Sequence, residues 1–438
     1  MEAARRAAPA AMPDTELEAA TYAKVAWRII PLLFVCYVVS YLDRVNVGFA
    51  KLQMLNDLSF SESVYGLGAG IFFLGYFLFE VPSNLILYRV GARKWIARIM
   101  ITWGVVSAAM LFVKTPTMFY VMRLFLGVAE AGFFPGMILY LTYWFPAERR
   151  GGMTALFMTG IPIAGVVGGP LSGWILQSMS GVSGLAGWQW LFVLEGLPSI
   201  VMGVLVLALL KDRIADASWL TSEQKLLLQE KVANDSAEKN QHISAFHAFR
   251  NAQVWLLAAI YFCLIMGLYG VSFWMPSIIK SMGIKEPVTV GLIYAIPYAA
   301  GTISMILVGR SADATKERRW HIAIPSLFGA VGLVASVVFG GSPVLAIASL
   351  TLATMGILSA IPLFWSCPTA FLDGAAAAGG IALINSLGNL AGFVSPYMVG
   401  FVKDMTHSTD VGMYMLAAFM CTAAILIIAG LPARLVNK

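Results

Sequence analysis

Six ionisable residues stand inside long apolar stretches of this 438-residue chain: Asp43, Arg44, Glu80, Arg123, Glu130 and Glu195. At the centre of a membrane-spanning helix each such group costs about 2.5–3.5 kcal/mol, so it marks either a chemical task or a buried pair. Arg44 offers a planar fork of donors that fits a carboxylate through two parallel hydrogen bonds. Arg28 marks the inner edge of the first apolar stretch, and the intervening helix carries Arg44 roughly 24 Å beyond it, into the outer half. Asp43 is its neighbour, turned about 100° around the helix. A carboxylate beside an arginine in a low dielectric keeps or loses its proton according to whether the arginine stays near. Arg123 and Glu130 lie two turns apart on one helix face, roughly 10 Å along the axis, with Arg123 outward and Glu130 near the midplane. The chemistry this set suits is the holding of an anion and the handling of a proton.

Neutral polar residues complete the candidate site. Tyr41 is three residues before Arg44, on an adjacent face, and Tyr76 falls mid-way along the second apolar stretch. Both hydroxyls can donate to an anion. Asn385 and Asn389 are four apart and share one face of the eleventh stretch, with Trp365 and Ser366 on the tenth. Glu80, before `VPSN`, and Glu195, in the sixth stretch, read as partners for backbone or cytoplasmic turn residues. No nucleophile elbow, phosphate loop or His-rich metal set occurs, and His242, His247, His321 and His407 fall in turns. Cys36, Cys263, Cys367 and Cys421 sit in apolar segments without metal-ligand spacing and read as small core residues. The chain is therefore expected not to be an enzyme and to need no cofactor, with the proton as its coupling ion.

The elements that position these residues follow from composition. The chain is 59% hydrophobic and 12% charged, about half the charge of a typical soluble domain, so most of its outer surface faces lipid. Apolar segments long enough to cross a bilayer, roughly 20 residues each, fall near 26–46, 63–88, 95–113, 117–141, 152–178 and 188–210. They resume near 253–279, 288–310, 321–340, 343–366, 375–402 and 411–433. This gives a tail at 1–24, a six-helix half at 25–210, a cytoplasmic linker at 211–250, a second half at 251–434 and a short tail at 435–438. Within the linker, `WLTSEQKLLLQEKV` reads as a capped amphipathic helix. No apolar core of a cleavable signal is seen in residues 1–24.

Sixteen Lys and Arg residues fall on the side of the termini, and five (Lys51, Lys114, Lys280, Lys285, Lys403) on the other. The positive-inside rule makes both termini cytoplasmic. The net charge of +6 thus sits in short turns and is a topology signal rather than a nucleic-acid stripe. The halves echo each other: `NLILYRVGARK` aligns with `GRSADATKERR` at an offset of 225, pairing Asn84 with Gly309, Tyr88 with Asp313, Arg93 with Arg318 and Lys94 with Arg319. A six-helix repeat with the cavity between its copies is a carrier architecture.

`GRSADATKERR` resembles the cytoplasmic-turn motif of the major facilitator superfamily, with Gly309, Asp313, Arg318 and Arg319 in the motif positions and Arg93 as their counterpart in the first half. That first copy departs from the motif at Asn84 and Tyr88. `YLDRVNVGFA`, `GYFLFEVPSN`, `RLFLGVAEAGFFPG` and `WQWLFVLEGLP` resemble the anion:cation symporter family, which includes bacterial permeases for tartrate, phthalate and galactonate. The resemblance implies an all-α membrane protein of twelve transmembrane helices in two six-helix halves. It implies Arg44 as ligand of the substrate anion, Asp43 and Glu130 as protonation sites, and Arg123 as partner of a carboxylate, a static pair with Asp43 being the alternative. Tyr41, Tyr76, Asn385, Asn389, Trp365 and Ser366 complete the expected cavity. Sugar-acid members carry a glutamine in the fifth helix, where `MTGIPIAGVVGGPLSG` has no amide. The expected function is proton-coupled uptake of a small organic carboxylate, by a monomer in the bacterial inner membrane. `GVVGGPLSG` also resembles the motif of proton-coupled drug antiporters, so an exporter is the alternative, disfavoured for cationic drugs by the two buried arginines.

Overall fold

The structure is a computed structural model that describes residues 14–238, 251–368 and 374–437. Arg5, Arg6, His242, His247 and Lys438 lie outside the described residues. Almost every described residue outside short turns is α-helical. Among the described residues, eleven helical spans are long and apolar enough to cross a membrane: Glu16–Leu58, Glu62–Val90, Ala92–Phe112, Pro116–Thr142, Gly152–Ser178 and Gly187–Leu209, then Ala252–Ser281, Pro287–Thr315, Arg319–Val338, Pro343–Phe364 and Asp410–Gly430. The helix Gly374–Thr406 stands between the last two and completes the set. We number these spans 1 to 12 in chain order, with Gly374–Thr406 as span 11.

The expected boundaries hold to within a few residues at most ends. Span 1 is the exception, running on to Leu58 rather than ending near residue 46. The sequence signal failed there because Lys51 looks like a turn residue. It is instead helical and buried, its ammonium ion-paired with Glu62 of span 2. The connector holds a helix at Ser222–Glu238 with the expected cap. The Gln224 N–H donates to Thr221 Oγ1 at 3.2 Å and the Thr221 N–H donates to Gln224 Oε1 at 3.2 Å, a reciprocal capping box.

The halves meet where span 2 packs on span 11, span 5 on span 8, and the outer part of span 1 on span 7. Helices in lipid gain no hydrophobic drive from association, so small residues that let backbones approach decide where they pack. Gly169 of span 5 and Gly291 of span 8 face each other so closely that a Cβ on Gly291 would stand 2.1 Å from the Gly169 carbonyl oxygen. Gly66 of span 2 meets span 11 in the same way, 2.5 Å from the Pro396 carbonyl oxygen. Both contacts lie toward the ends opposite the termini.

Candidate functional site

A cavity lies between the halves. Tyr37, Tyr41 and Arg44 of span 1, Tyr76 of span 2 and Phe134 of span 4 form one wall. Tyr261, Ile265, Leu268 and Tyr269 of span 7, with Ile361, Asn385 and Asn389, form the facing wall. Its only formal charge among these residues is Arg44.

Arg44 is shared between the halves. Its Nη2 pairs with Glu130 of span 4, and its Nη1 donates to the Tyr269 hydroxyl of span 7 at 3.1 Å. Tyr269 stands 225 residues beyond Arg44, the same offset that aligns the two halves, so repeat-related positions meet at the site. The guanidinium lies 5.3 Å from the Tyr76 ring centroid and 5.4 Å from that of Phe72, and its Nε has no hydrogen-bond partner. Ring faces attract a desolvated cation. Glu130 also accepts from Ser40 Oγ at 2.9 Å. It ends its helix: Ala131 at ψ 133° leaves the helical conformation, and Gly132 at φ +81° restarts the chain into Phe133–Thr142. That break follows from `EAGFFPG`, since glycine alone adopts the left-handed turn without strain. Broken helices at mid-membrane sites are a recurring feature of carriers.

Asp43 stands behind this wall. Ser107 Oγ donates to its Oδ1 at 2.5 Å and Asn46 Nδ2 donates to the same oxygen at 3.2 Å, while Oδ2 has no partner. The static Asp43–Arg123 pair is absent. Arg123 instead donates through Nε to the Gly68 carbonyl at 3.2 Å and through Nη2 to the Ala69 carbonyl at 3.4 Å, over the Phe72 ring. Its fork is thus turned toward the backbone of span 2, and Arg123 does not line the cavity. Trp365 and Ser366 fall outside the lining as well. Trp365 packs edge-on against Tyr261, which does line it, and Ser366 donates to the Leu363 carbonyl at 2.7 Å. Tyr41, Tyr76, Asn385 and Asn389 are lining residues as expected.

The two remaining carboxylates have partners the sequence reading missed. Glu195 accepts from Ser172 Oγ of span 5 at 2.6 Å, deep in the first half rather than at a turn. Glu80 accepts from Asn385 Nδ2 at 2.8 Å and Asn389 Nδ2 at 3.3 Å, so it bridges span 2 to span 11 across the halves. The signal for the latter was the shared face of the two asparagines, which needed a partner and was assigned none.

At the outer ends lies a second ionic group. Glu62 of span 2 pairs with Lys51 of span 1 at 2.6 Å and with Lys403 of span 11 at 2.7 Å. Asp404 accepts from the Glu62 and Ser63 N–H groups at 3.0 and 2.7 Å. The Lys51 ammonium sits 3.4 Å from the Trp274 ring centroid on span 7. Four spans from both halves are tied together here.

At the inner ends the turns bind within their own half. Arg318 pairs with Asp313, and Arg319 donates to the Ile428 carbonyl of span 12. The Arg93 N–H donates to Asp212 at 2.8 Å. Burial alone would raise the Glu317 carboxyl, but hydrogen bonds from Asn437, His321 and nearby backbone N–H groups outweigh it and hold the group below the ordinary carboxylate range. Gly309 has nothing within 4 Å of where a Cβ would stand.

Paired helical halves around one charged cavity define a membrane carrier, and the chain is a multi-pass transporter rather than an enzyme. The family model of the Major Facilitator Superfamily matches residues 33–396, and the chain belongs to that family. It is 49% identical over 415 residues, covering 94% of this chain and 91% of the relative, to a protein of Agrobacterium vitis provisionally named a tartrate transporter. It is 47% identical over 420 residues, 96% of each chain, to a Pseudomonas putida protein provisionally named the metabolite transport protein NicT. A quinolone resistance transporter of Acinetobacter baumannii is 42% identical over 404 residues, covering 92% of this chain and 93% of the relative. Among solved structures, the E. coli xylose transporter XylE in a partially occluded inward-open conformation matches with a TM-score of 0.72 at 14% identity, over 93% of this chain and 98% of that one. That likeness is one of fold.

Proposed function

We propose that this protein is a proton-coupled symporter that takes up a small organic carboxylate across the bacterial inner membrane by alternating access, working as a monomer. The observation that carries this reading is the sharing of Arg44 between Glu130 and Tyr269. A substrate carboxylate needs the donors that Glu130 occupies. A proton on Glu130 weakens its hold on the guanidinium and frees Arg44 for the substrate, so proton and anion enter together. Asp43, held by Ser107 and Asn46, is the second proton carrier.

Magnitudes favour two protons. Each net negative charge imported against an inside-negative potential costs about 2.3 kcal/mol per 100 mV. One proton per monoanion makes the cycle electroneutral, and two let the potential drive it inward. Alternating access then requires the outer ends, tied by Lys51, Glu62 and Lys403, to part while the inner ends close.

The tartrate name of the A. vitis relative supports an organic anion as cargo. The quinolone resistance name of the A. baumannii relative favours a second reading, export by the same cavity. Proteoliposomes separate them. With radiolabelled tartrate and a panel of other carboxylates, an inside-alkaline pH gradient should drive accumulation above equilibrium. An inside-negative potential should increase it for monoanions, while tartrate, a dianion carried with two protons, moves without net charge. Proton influx that instead expels preloaded acid supports export, and transport indifferent to the gradient contradicts both.

A further inference from the structure

The geometry points to Glu80 as the residue that sets which carboxylates the cavity accepts, by fixing the two asparagines so that they present hydrogen-bond acceptors. This rests on the carboxylate reading above and narrows its substrate class to carboxylates bearing a hydroxyl or N–H donor away from the carboxylate.

An ionised carboxylate has acceptors only, and an asparagine side chain has two donors on nitrogen and an acceptor on oxygen. Glu80 is 6% exposed and is absent from the cavity wall, standing behind Asn385 and Asn389, which do line it. Each of its oxygens takes one amide: Asn385 Nδ2 on Oε1 at 2.8 Å and Asn389 Nδ2 on Oε2 at 3.3 Å. The partner's chemistry therefore determines the amide orientation, which is otherwise two-fold ambiguous. With both nitrogens turned to Glu80, each Oδ1 is left for another donor, and among the described residues no hydrogen bond reaches either oxygen. Glu80 lies one helical turn beyond Tyr76, whose ring carries the Arg44 guanidinium at 5.3 Å. The cavity is thus bipolar, with cationic donors at Arg44 and paired acceptors at the asparagines, and mostly aromatic and aliphatic side chains around them. A ligand with a carboxylate at one end and a donor at the other satisfies both poles. One lacking the donor leaves the two oxygens unpaired on closure, which is how polar sites reject their deoxy analogues.

Calorimetric binding to the purified full-length protein in detergent tests this with matched probes, L-tartrate against succinate and 4-hydroxybenzoate against benzoate. The wild type should prefer the hydroxylated member of at least one pair by about tenfold or more, the scale of one buried acceptor left unpaired. Glu80→Gln, whose amide forces one asparagine to turn over, should collapse that preference while the unhydroxylated member binds as before. Asn385→Ala and Asn389→Ala, which remove the acceptors and keep Glu80, should collapse it too, and they serve if Glu80→Gln does not fold. A preference that survives in these variants, or no preference in the wild type, overturns the inference while leaving the carboxylate reading intact. Absence of binding by all four acids, with Arg44→Lys indistinguishable from wild type, overturns the carboxylate reading itself and the inference with it.

Discussion

The outer and inner ends of this molecule are built from different materials. At the outer ends the halves touch backbone to backbone, through Gly169 and Gly291 and through Gly66 against Pro396, and an ionic group ties spans 1, 2 and 11. Nearer the centre the polar links across the halves are side chain to side chain and few: Arg44 to Tyr269, Tyr41 to Ser272 at 3.4 Å, and Glu80 to the two asparagines. Among the described residues the inner turns bind only within their own half. Backbone contact resists small adjustment, whereas side-chain links exchange one partner for another at little cost. On the proposed reading, closure is held at the outer ends and decided at the centre, where a substrate's own groups replace links the protein makes with itself.

The largest expected effect comes from the outer group. Glu62→Gln leaves Lys51 buried without a charge partner, a loss of about 3–5 kcal/mol for a pair broken on one side. Because Glu62 also pairs across the halves with Lys403 of span 11, its neutralisation should part the outer ends. Ile161 of span 5 lines the cavity, and on a background without native cysteines labelling of Ile161→Cys by an impermeant maleimide from the outside should rise steeply. Unchanged labelling would mean that the ionic group does not hold the outer closure.

Next is the centre. Arg44→Lys keeps the charge and loses the fork. Substrate affinity should fall about 100-fold, which is about 2.7 kcal/mol at 1.36 kcal/mol per decade. The outer labelling should not change, which separates binding from closure. Normal affinity in that variant would remove Arg44 from the site.

The smallest effect sharpens the contrast through one substitution made twice. Gly66→Ala drives a Cβ to 2.5 Å from a span 11 carbonyl, and overpacking of this kind costs about 1–3 kcal/mol. Gly309→Ala meets open space, and alanine in a helix is worth about 0.5–1 kcal/mol over glycine. Thermal unfolding in detergent should therefore show the first variant destabilised and the second unchanged or slightly stabilised.

Much of this was legible in the sequence, for identifiable reasons. Runs of apolar residues mark the spans because lipid tolerates little else, and the Lys/Arg asymmetry orients them. Arg44, Glu130, Tyr41, Tyr76, Asn385 and Asn389 stood out because polar groups in such runs are costly. Pairing was not legible. The sequence leaves Arg123 open to a substrate carboxylate or to a static pair with Asp43, whereas Arg123 turns to two carbonyls and Glu130 takes Arg44. Spacing along one helix says which face a residue occupies but not which neighbouring helix meets that face. Lys51 was hidden for a related reason: a lysine at the edge of an apolar run reads as a turn until an aromatic ring and a carboxylate from other spans are seen to enclose it. Tyr269 had a signal in the offset of 225 from Arg44, which follows from the repeat alone.

On the proposed reading, Glu130 couples the proton to the anion through the arginine they share. Glu130→Gln keeps an oxygen for Ser40 and Arg44 and removes the charge that protonation would remove. In proteoliposomes this variant should bind substrate and catalyse counterflow at near wild-type rates, yet fail to concentrate it on an imposed pH gradient. Accumulation by Glu130→Gln on that gradient, at the wild-type level, would show that Glu130 is a structural partner of Arg44 and that the proton travels elsewhere.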